Sequence, residues 1–134
     1  MSELNILIGG DLVPTENNLE LFISADTSGL VGDDLLKILK QADFRILNLE
    51  VPLADKEKPI MKCGPNLVAP IGTVNGIKQL QTDLLTLSNN HILDQGAQGL
   101  YSTITVLEEN HIGYVGAGSN LSEATQPYIW EQSG

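Results

Sequence analysis

The chain has 134 residues, with 17 acidic and 7 basic side chains and a formal net charge of −10. Such a length is typical of one domain with a buried core, and the acidic balance argues against nucleic-acid binding through a basic patch. The longest apolar runs fall well short of the roughly 20 residues of a membrane span. The N-terminus lacks the basic region of a signal peptide, so a cytoplasmic location is the default expectation and the compartment stays open.

The hydrophobic pattern alternates between short strands and helices. It predicts strands at residues 4–8, 44–49, 84–87 and 112–115, a fifth strand at 127–130, and helices at 33–41, 74–81 and 97–109. Residues 13–32 and 51–70 are predicted to be irregular because prolines, glycines and asparagines interrupt them. Alternation of this kind predicts an α/β fold, with a largely parallel sheet flanked by helices.

Polar residues stand where the predicted strands end. They are Asp11 after Gly9-Gly10, then Asn48 and Glu50, then Asn89, Asn90 and His91, and finally the loop 116–118. Because the carboxyl ends of parallel strands lie at one edge of a sheet, we expect these residues to converge there. Carboxylate, amide and imidazole groups suit a divalent cation, and two such cations can clamp a phosphoryl group. His91 would act as a ligand or as a general acid.

The same residues also have purely structural interpretations. Asp11 would stabilise a turn, Asn48 would be a satisfied buried amide, Glu50 would cap a helix, and Asn89 and Asn90 would be turn residues with left-handed backbone angles. The spacing favours Asp94 as an N-cap or turn residue for the following helix. His111 is predicted to occupy a helix C-terminal position with positive φ. Lys56, Lys58 and Lys62 would contact an anionic substrate or, as we favour, belong to a solvated loop.

Several motifs resemble the bacterial capsule synthesis family, the CapA-type group of poly-gamma-glutamate biosynthesis. They are G-D at residues 10–11, N-L-E at 48–50, S-N-N-H-I-L-D-Q-G-A-Q-G-L at 88–100 and I-G-Y-V-G-A-G-S-N at 112–120. This family is related to the calcineurin-like metallophosphatases. The resemblance therefore implies the N-terminal half of a metallophosphatase-like αββα sandwich, with residues 1–134 forming a single, incomplete domain.

The resemblance also implies roles for individual residues. Asp11, Glu50 and Asn90 look like metal ligands, His91 and Asp94 look like a catalytic pair in which Asp94 orients the imidazole, and Asn48 and Asn89 look like supporting residues. The implied cofactor is one or two divalent ions such as Mn, Fe or Zn. The implied substrate is an anionic polymer or a phosphate-bearing compound.

A complete site of this type needs further histidines, and the chain has only His91 and His111. We therefore expect either a homo-oligomer or a missing C-terminal half. The expected function is a metal-dependent hydrolase in capsule or poly-gamma-glutamate production. The alternatives are a non-catalytic assembly subunit of a polymer synthesis complex and an inactive fragment. Proteins of the family are often associated with the cell surface.

Overall fold

The computed structural model describes residues 3–132. In chain order the elements are β1 (Ile6–Leu12), α1 (Leu19–Ile23), α2 (Thr27–Gln41), β2 (Phe44–Leu49), a 3-10 turn (Ile71–Thr73), α3 (Val74–Gln79), β3 (Leu84–Thr86), α4 (Gly96–Glu109), β4 (Gly113–Val115) and α5 (Leu121–Ala124). No helix among the described residues has the length and apolar character that crossing a bilayer requires.

The four strands form one parallel sheet in the order β1-β2-β3-β4. The predicted α/β class and parallel pairing are therefore confirmed. Since the spatial order follows the chain order, the sheet has no point at which the strand order reverses, which is where open sheets usually bind ligands. A site in this molecule must therefore form above one face of neighbouring strand ends.

One face of the sheet packs against the helices. Its buried cluster includes Leu49, Leu85 and Leu87 of the sheet region and Leu39, Ile77 and Leu107 from α2, α3 and α4. Alternation along the strands directs the neighbouring side chains to the opposite face, which we call the open face. Ile8 on β1 is paired in register with Ile46 of β2, and its side chain is 75% exposed. Parallel sheets are normally covered on both faces, so this exposure is unusual.

The predicted fifth strand is wrong, because residues 127–130 pair with no strand. Pro127 cannot donate a ladder hydrogen bond. The aromatic residues of this segment instead pack against the open face, where the ring centroids of Tyr128 and Trp130 lie 6.0 and 4.6 Å from that of Phe44. Their apolar surface therefore covers the amino-terminal end of β2 without extending the sheet.

The prediction of irregular structure over residues 13–32 is also wrong. Helix α1 lies inside this stretch, and α2 begins at Thr27 with Asp26 accepting a hydrogen bond from the Gly29 amide. Gly32 has φ of 74° and kinks α2 rather than preceding it, because glycine adopts this conformation without steric cost. Helix α5 was not predicted, although Asn120 caps it through the Glu123 amide.

The predicted loop at residues 51–70 is confirmed, since it contains no helix or strand and a single isolated bridge between Leu53 and Ala69. Its backbone bonds to the turn that follows β3, because the amides of Ile60 and Leu67 donate to the carbonyl and the carboxylate of Asp94. This loop therefore forms one wall of the region where the predicted polar residues converge.

Candidate functional site

Asp11 lies inside β1, whereas the sequence predicted it just beyond the strand. The strand continues through Gly9 and Gly10, and its register shifts between Ile8, which pairs with Ile46, and Asp11, which pairs with Asn48. Three residues on β1 therefore span two on β2, which is the signature of a β-bulge. Because side chains alternate along a strand, the extra residue returns Asp11 to the same face as Ile8. The bulge thus directs Asp11 to the open face beside Asn48.

Asn48 orients Asp11 and is itself fully engaged. Its Nδ2 donates to Asp11 Oδ1 at 2.8 Å, while its Oδ1 accepts from Thr86 Oγ1 at 3.0 Å and from Asn89 Nδ2 at 3.3 Å. The amide oxygen therefore has no lone pair directed at a further ligand. This geometry favours a supporting role for Asn48.

The carboxyl groups of Asp11 and Glu50 lie close enough for each to change the pKa of the other. Hydrogen bonds from Asn48 and from Glu50 lower the pKa of Asp11. The pKa of Glu50 is raised, chiefly because it is the partner that shares its proton with Asp11, with smaller contributions from burial and from repulsion by Asp11, while His91 acts in the opposite direction. Two carboxylates in contact disfavour full ionisation, so this pair would be stabilised by a cation.

The turn after β3 is built around Asn89. Its Oδ1 accepts hydrogen bonds from the amides of His91 and Ile92, each at 3.0 Å, and its Nδ2 donates to the Leu49 carbonyl at 2.9 Å. Neither Asn89 nor Asn90 has positive φ, so the left-handed interpretation of these residues is wrong. Asn89 instead ties the turn to the end of β2, and the exposed Asn90 is presented between it and His91.

His91 forms a close pair with Asp94. The imidazole Nδ1 lies 2.6 Å from Asp94 Oδ2, which also accepts from the Leu67 amide at 2.6 Å. Burial acts to raise the pKa of Asp94, but hydrogen bonds from Leu67, Lys62 and His91 outweigh it, and the pKa lies below its usual value. An ionised Asp94 requires Nδ1 of His91 to be the donor, which leaves Nε2 for a ligand or substrate.

Asp94 was predicted to be an N-cap or turn residue. The N-cap of α4 is Gln95, so that part of the prediction is wrong, whereas Asp94 does lie in the turn before the helix. Asp94 is fully buried, and its carboxylate bonds to the turn and to the loop rather than to the first turn of the helix. The contacts agree instead with the arrangement that the resemblance implied, in which Asp94 orients His91.

The bacterial capsule synthesis protein family, PGA_cap, matches residues 5–134. This chain belongs to that family. The capsule biosynthesis protein CapA of Bacillus anthracis is 38% identical to it over 88 residues, which are 63% of this chain and 21% of the relative. The chain therefore matches about a fifth of the length of that relative. The resemblance inferred from the motifs is confirmed.

In this PGA_cap chain, the sequence did not predict that Lys62 belongs to the site. Lys56 and Lys58 are exposed as predicted, but only 19% of the Lys62 side chain is exposed, and its ammonium group contacts Asp94. The solvated-loop interpretation is therefore wrong for Lys62. Thirty-two positions separate the two residues, and no local spacing rule connects such a pair.

The structure thus brings Asp11, Asn48 and Glu50 together and places His91 close enough to influence the charge of Glu50. Among residues 3–132, no three side chains of the histidine, cysteine, aspartate or glutamate type cluster as they would around a metal ion. Asp11 and Glu50 therefore form a pair that other oxygen or nitrogen donors would have to complete.

The two remaining predicted features have structural roles. The loop 116–118 packs on the start of the turn after β3, and a Cβ on Gly116 would lie 2.8 Å from the Ser88 Cβ. Gly116 also has φ of 90°, so both the space and the backbone require glycine there. His111 has φ of 57° directly after the last turn of α4, as its predicted position at the end of a helix requires.

Proposed function

We propose that this chain serves capsule or poly-gamma-glutamate biosynthesis and carries half of the site of a metal-dependent hydrolase. Membership of the PGA_cap family supports the biosynthetic role. The observation that supports the hydrolase is the proximity of the Asp11 and Glu50 carboxyl groups at the carboxyl ends of β1 and β2, together with the hydrogen-bonded His91–Asp94 pair that influences Glu50. The substrate class we infer is a phosphate ester or an amide of an anionic polymer.

The donor set fits a divalent cation. Asp11 and Glu50 supply carboxylate oxygens, and Asn90 supplies an exposed amide in the adjoining turn, a combination that suits Mn, Fe or Zn. When bound, such an ion would provide positive charge for a phosphoryl or carbonyl oxygen and lower the pKa of water. Asn48 would hold Asp11 in place. His91, oriented by Asp94, would act at the leaving group through Nε2, which donates a proton only when the ring is the imidazolium.

The proposed site requires further ligands. They would come from polypeptide corresponding to the rest of the longer relatives, or from a second copy of the chain across the open face. Hydrolysis would then depend on that completion, and the described residues would bind the cation more weakly than a complete site. Metal binding is accordingly the first property to measure.

Isothermal calorimetry with Mn²⁺ and Zn²⁺ tests the proposal directly. We expect saturable binding to the wild-type chain and its loss in Asp11→Ala and in Asn90→Ala. Asp34→Ala is the matched control, since its side chain is fully exposed on α2 and its removal changes the net charge as Asp11→Ala does. Equal binding by all four proteins would mean that the acidic surface attracts cations nonspecifically, and it would contradict the proposed site.

The second candidate is a non-catalytic assembly subunit of a polymer synthesis complex. Two observations favour it: among residues 3–132 no three metal-ligating side chains cluster, and apolar residues of β1 are exposed. Under this alternative the wild-type chain would show no saturable metal binding and no phosphatase activity with added Mn²⁺, yet it would associate with itself through the open face.

A further inference from the structure

The side chain of Lys62 makes its polar contacts outside its own loop. Its side chain leaves the 51–70 loop and enters the turn after β3, where Nζ contacts Asp94 Oδ1 and lies 3.4 Å from both the Asn90 carbonyl and His91 Nδ1. A lysine held by two acceptors of one turn, the Asp94 carboxylate and the Asn90 carbonyl, differs from ordinary surface lysines, which gain little from ion pairing. This cation is therefore part of the polar cluster around His91.

The two oxygens of Asp94 have separate partners. Oδ1 faces Lys62, whereas Oδ2 accepts from His91 Nδ1 and from the Leu67 amide. A carboxylate with no exposed surface needs its charge balanced and all its lone pairs used. Lys62 supplies the balancing charge and fixes the rotation of the carboxylate, which keeps Oδ2 aligned with the imidazole.

The loop around Lys62 is bonded to two buried residues of the turn, Asp94 and Gln95. The amide of Ile60 donates to the Asp94 carbonyl at 2.9 Å, the amide of Lys58 donates to Gln95 Oε1 at 2.6 Å, and Gln95 Nε2 donates to the Leu67 carbonyl at 3.0 Å. These bonds hold residues 58–67 against the turn on both sides of Lys62. The Lys62 backbone is therefore fixed, and its ammonium group reaches Asp94 from an anchored position.

We propose that Lys62 is a positioning residue for His91. By holding Asp94 Oδ1, it keeps Oδ2 as the acceptor for Nδ1–H and so maintains the His91 tautomer in which Nε2 is unprotonated. The catalytic meaning of this tautomer rests on the proposed hydrolase function. The positioning itself does not, because it concerns contacts within the metal-free chain.

Long-range ¹H–¹⁵N NMR of the imidazoles tests this inference. The chain has two histidines, and the exposed His111 serves as an internal reference. In spectra recorded at alkaline pH, we expect the neutral imidazole of wild-type His91 to be the Nδ1–H tautomer. In Lys62→Met the ratio of Nδ1–H to Nε2–H tautomer should fall about three- to tenfold, the effect of losing one aligned hydrogen bond.

Two controls separate positioning from general destabilisation. Lys62→Arg retains the charge and should largely restore the wild-type tautomer. Lys58→Met removes an exposed lysine of the same loop, whose backbone rather than its side chain bonds to Gln95, and should leave His91 unchanged. If Lys62→Met is too unstable, Lys62→Gln in a stabilising osmolyte such as trimethylamine N-oxide provides a folded uncharged variant.

A folded, uncharged Lys62 variant that retains the wild-type tautomer ratio would overturn the inference, as would a wild-type His91 protonated on Nε2. All spectra are recorded without metal, so the result is independent of the calorimetry. Loss of the tautomer in a chain that binds no Mn²⁺ would support the positioning role and contradict the hydrolase. An unchanged tautomer in a chain that binds Mn²⁺ would contradict the positioning role and support the hydrolase.

Discussion

Asp94 is the single residue on which most of the site geometry depends. Its buried carboxylate has three partners in two parts of the molecule: His91 in the turn after β3, and Leu67 and Lys62 in the 51–70 loop. Removing one partner of a buried ion pair leaves the other charge uncompensated. The stability of the chain is therefore more sensitive to this position than to the many acidic residues on its surface.

Asp94→Asn should lower the free energy of unfolding by about 3 kcal/mol, the lower end of the range for a broken buried pair, because the amide can replace only part of the carboxylate bonding. Urea unfolding followed by circular dichroism measures the change. Asp34→Asn is the control, since its pair with Lys37 on α2 is exposed and should give no measurable change. Equal effects at the two positions would refute the importance assigned to Asp94.

The two glycines before Asp11 should differ sharply in their tolerance of a side chain. An added Cβ on Gly9 would overlap Leu47 Cδ2 on the helix-packed face, whereas one on Gly10 would meet no atom within 4 Å. We expect Gly9→Ala to cost about 1–3 kcal/mol through overpacking and Gly10→Ala to cost clearly less. Urea unfolding of the two variants gives the comparison, and a greater loss for Gly10→Ala would contradict the described register.

At the scale of residues, the sequence predicts those contacts that are local in the chain. His91 and Asp94 are three apart, and their motif led directly to the pair that the structure contains. The bulge that turns Asp11 to the open face was not predictable, because Gly-Gly is equally compatible with a turn. The contact of Lys62 with Asp94 depends on how a long loop folds back, which no residue pattern specifies.

Between elements, Tyr114 joins β4 to the end of α4. Its hydroxyl donates to Glu108 Oε1 at 2.9 Å. Burial, the hydrogen bond to Glu108 and the negative charges of Glu108 and Glu123 raise the pKa of Tyr114 to about 12. The folded chain therefore holds this proton more tightly than the unfolded chain, in which the pKa is about 10.

The contribution of Tyr114 to stability should be complete below pH 10 and should disappear as the pH rises from about 10 towards 12. Unfolding measured by circular dichroism across this pH range, on wild type and Tyr114→Phe, checks the expectation. The two proteins should differ most below pH 10 and converge at the upper end. A difference that is constant with pH would exclude the raised pKa as its cause.

The elements that the sequence predicts well are those with a clear period and clear boundaries. Strand β2 was predicted with its observed bounds, and α4 to within one residue, because their apolar residues recur at the spacing of a strand and of a helix. Helix α2 was missed in its first turns because Gly29 and Gly32 look like breakers, although one packs in the first turn and the other accommodates a kink. The apolar run at 127–130 was predicted to be a strand but is not one. Its aromatic rings pack against the open face of the sheet, and its backbone pairs with no strand.

For the molecule as a whole, the principal unexplained property is the apolar open face. Ile6 and Ile8 are 49% and 75% exposed at the edge of a parallel sheet, where both unpaired backbone groups and apolar side chains favour association. We propose that the chain forms a dimer or larger assembly through this face, unless further polypeptide covers it.

Analytical ultracentrifugation should therefore show self-association of the wild-type chain and a monomer for Ile8→Lys. Leu121→Lys is the control, since Leu121 is 78% exposed on α5, outside the sheet, and its substitution should leave the association unchanged. A monodisperse wild-type monomer would contradict the proposed assembly.

The architecture was predictable because alternating strands and helices permit few arrangements. What covers the open face was not predictable, because the strand pattern shows only that residues such as Ile46 are apolar and would favour burial. The convergence of the polar residues at one edge of the sheet could be predicted from parallel strand pairing alone. The distances that decide their roles depend on the bulge in β1 and on the path of the 51–70 loop.

The order β1-β2-β3-β4 also has a consequence for the order in which the fold can form. Each strand pairs with the strand that precedes it in the chain, so no pairing in this sheet depends on a strand that is synthesised later. The pairing of β1 with β2 places Asp11 opposite Asn48 and needs no residue of the turn that carries His91. The acidic residues of the site can therefore come together first, and the turn that carries His91 can fold against them afterwards.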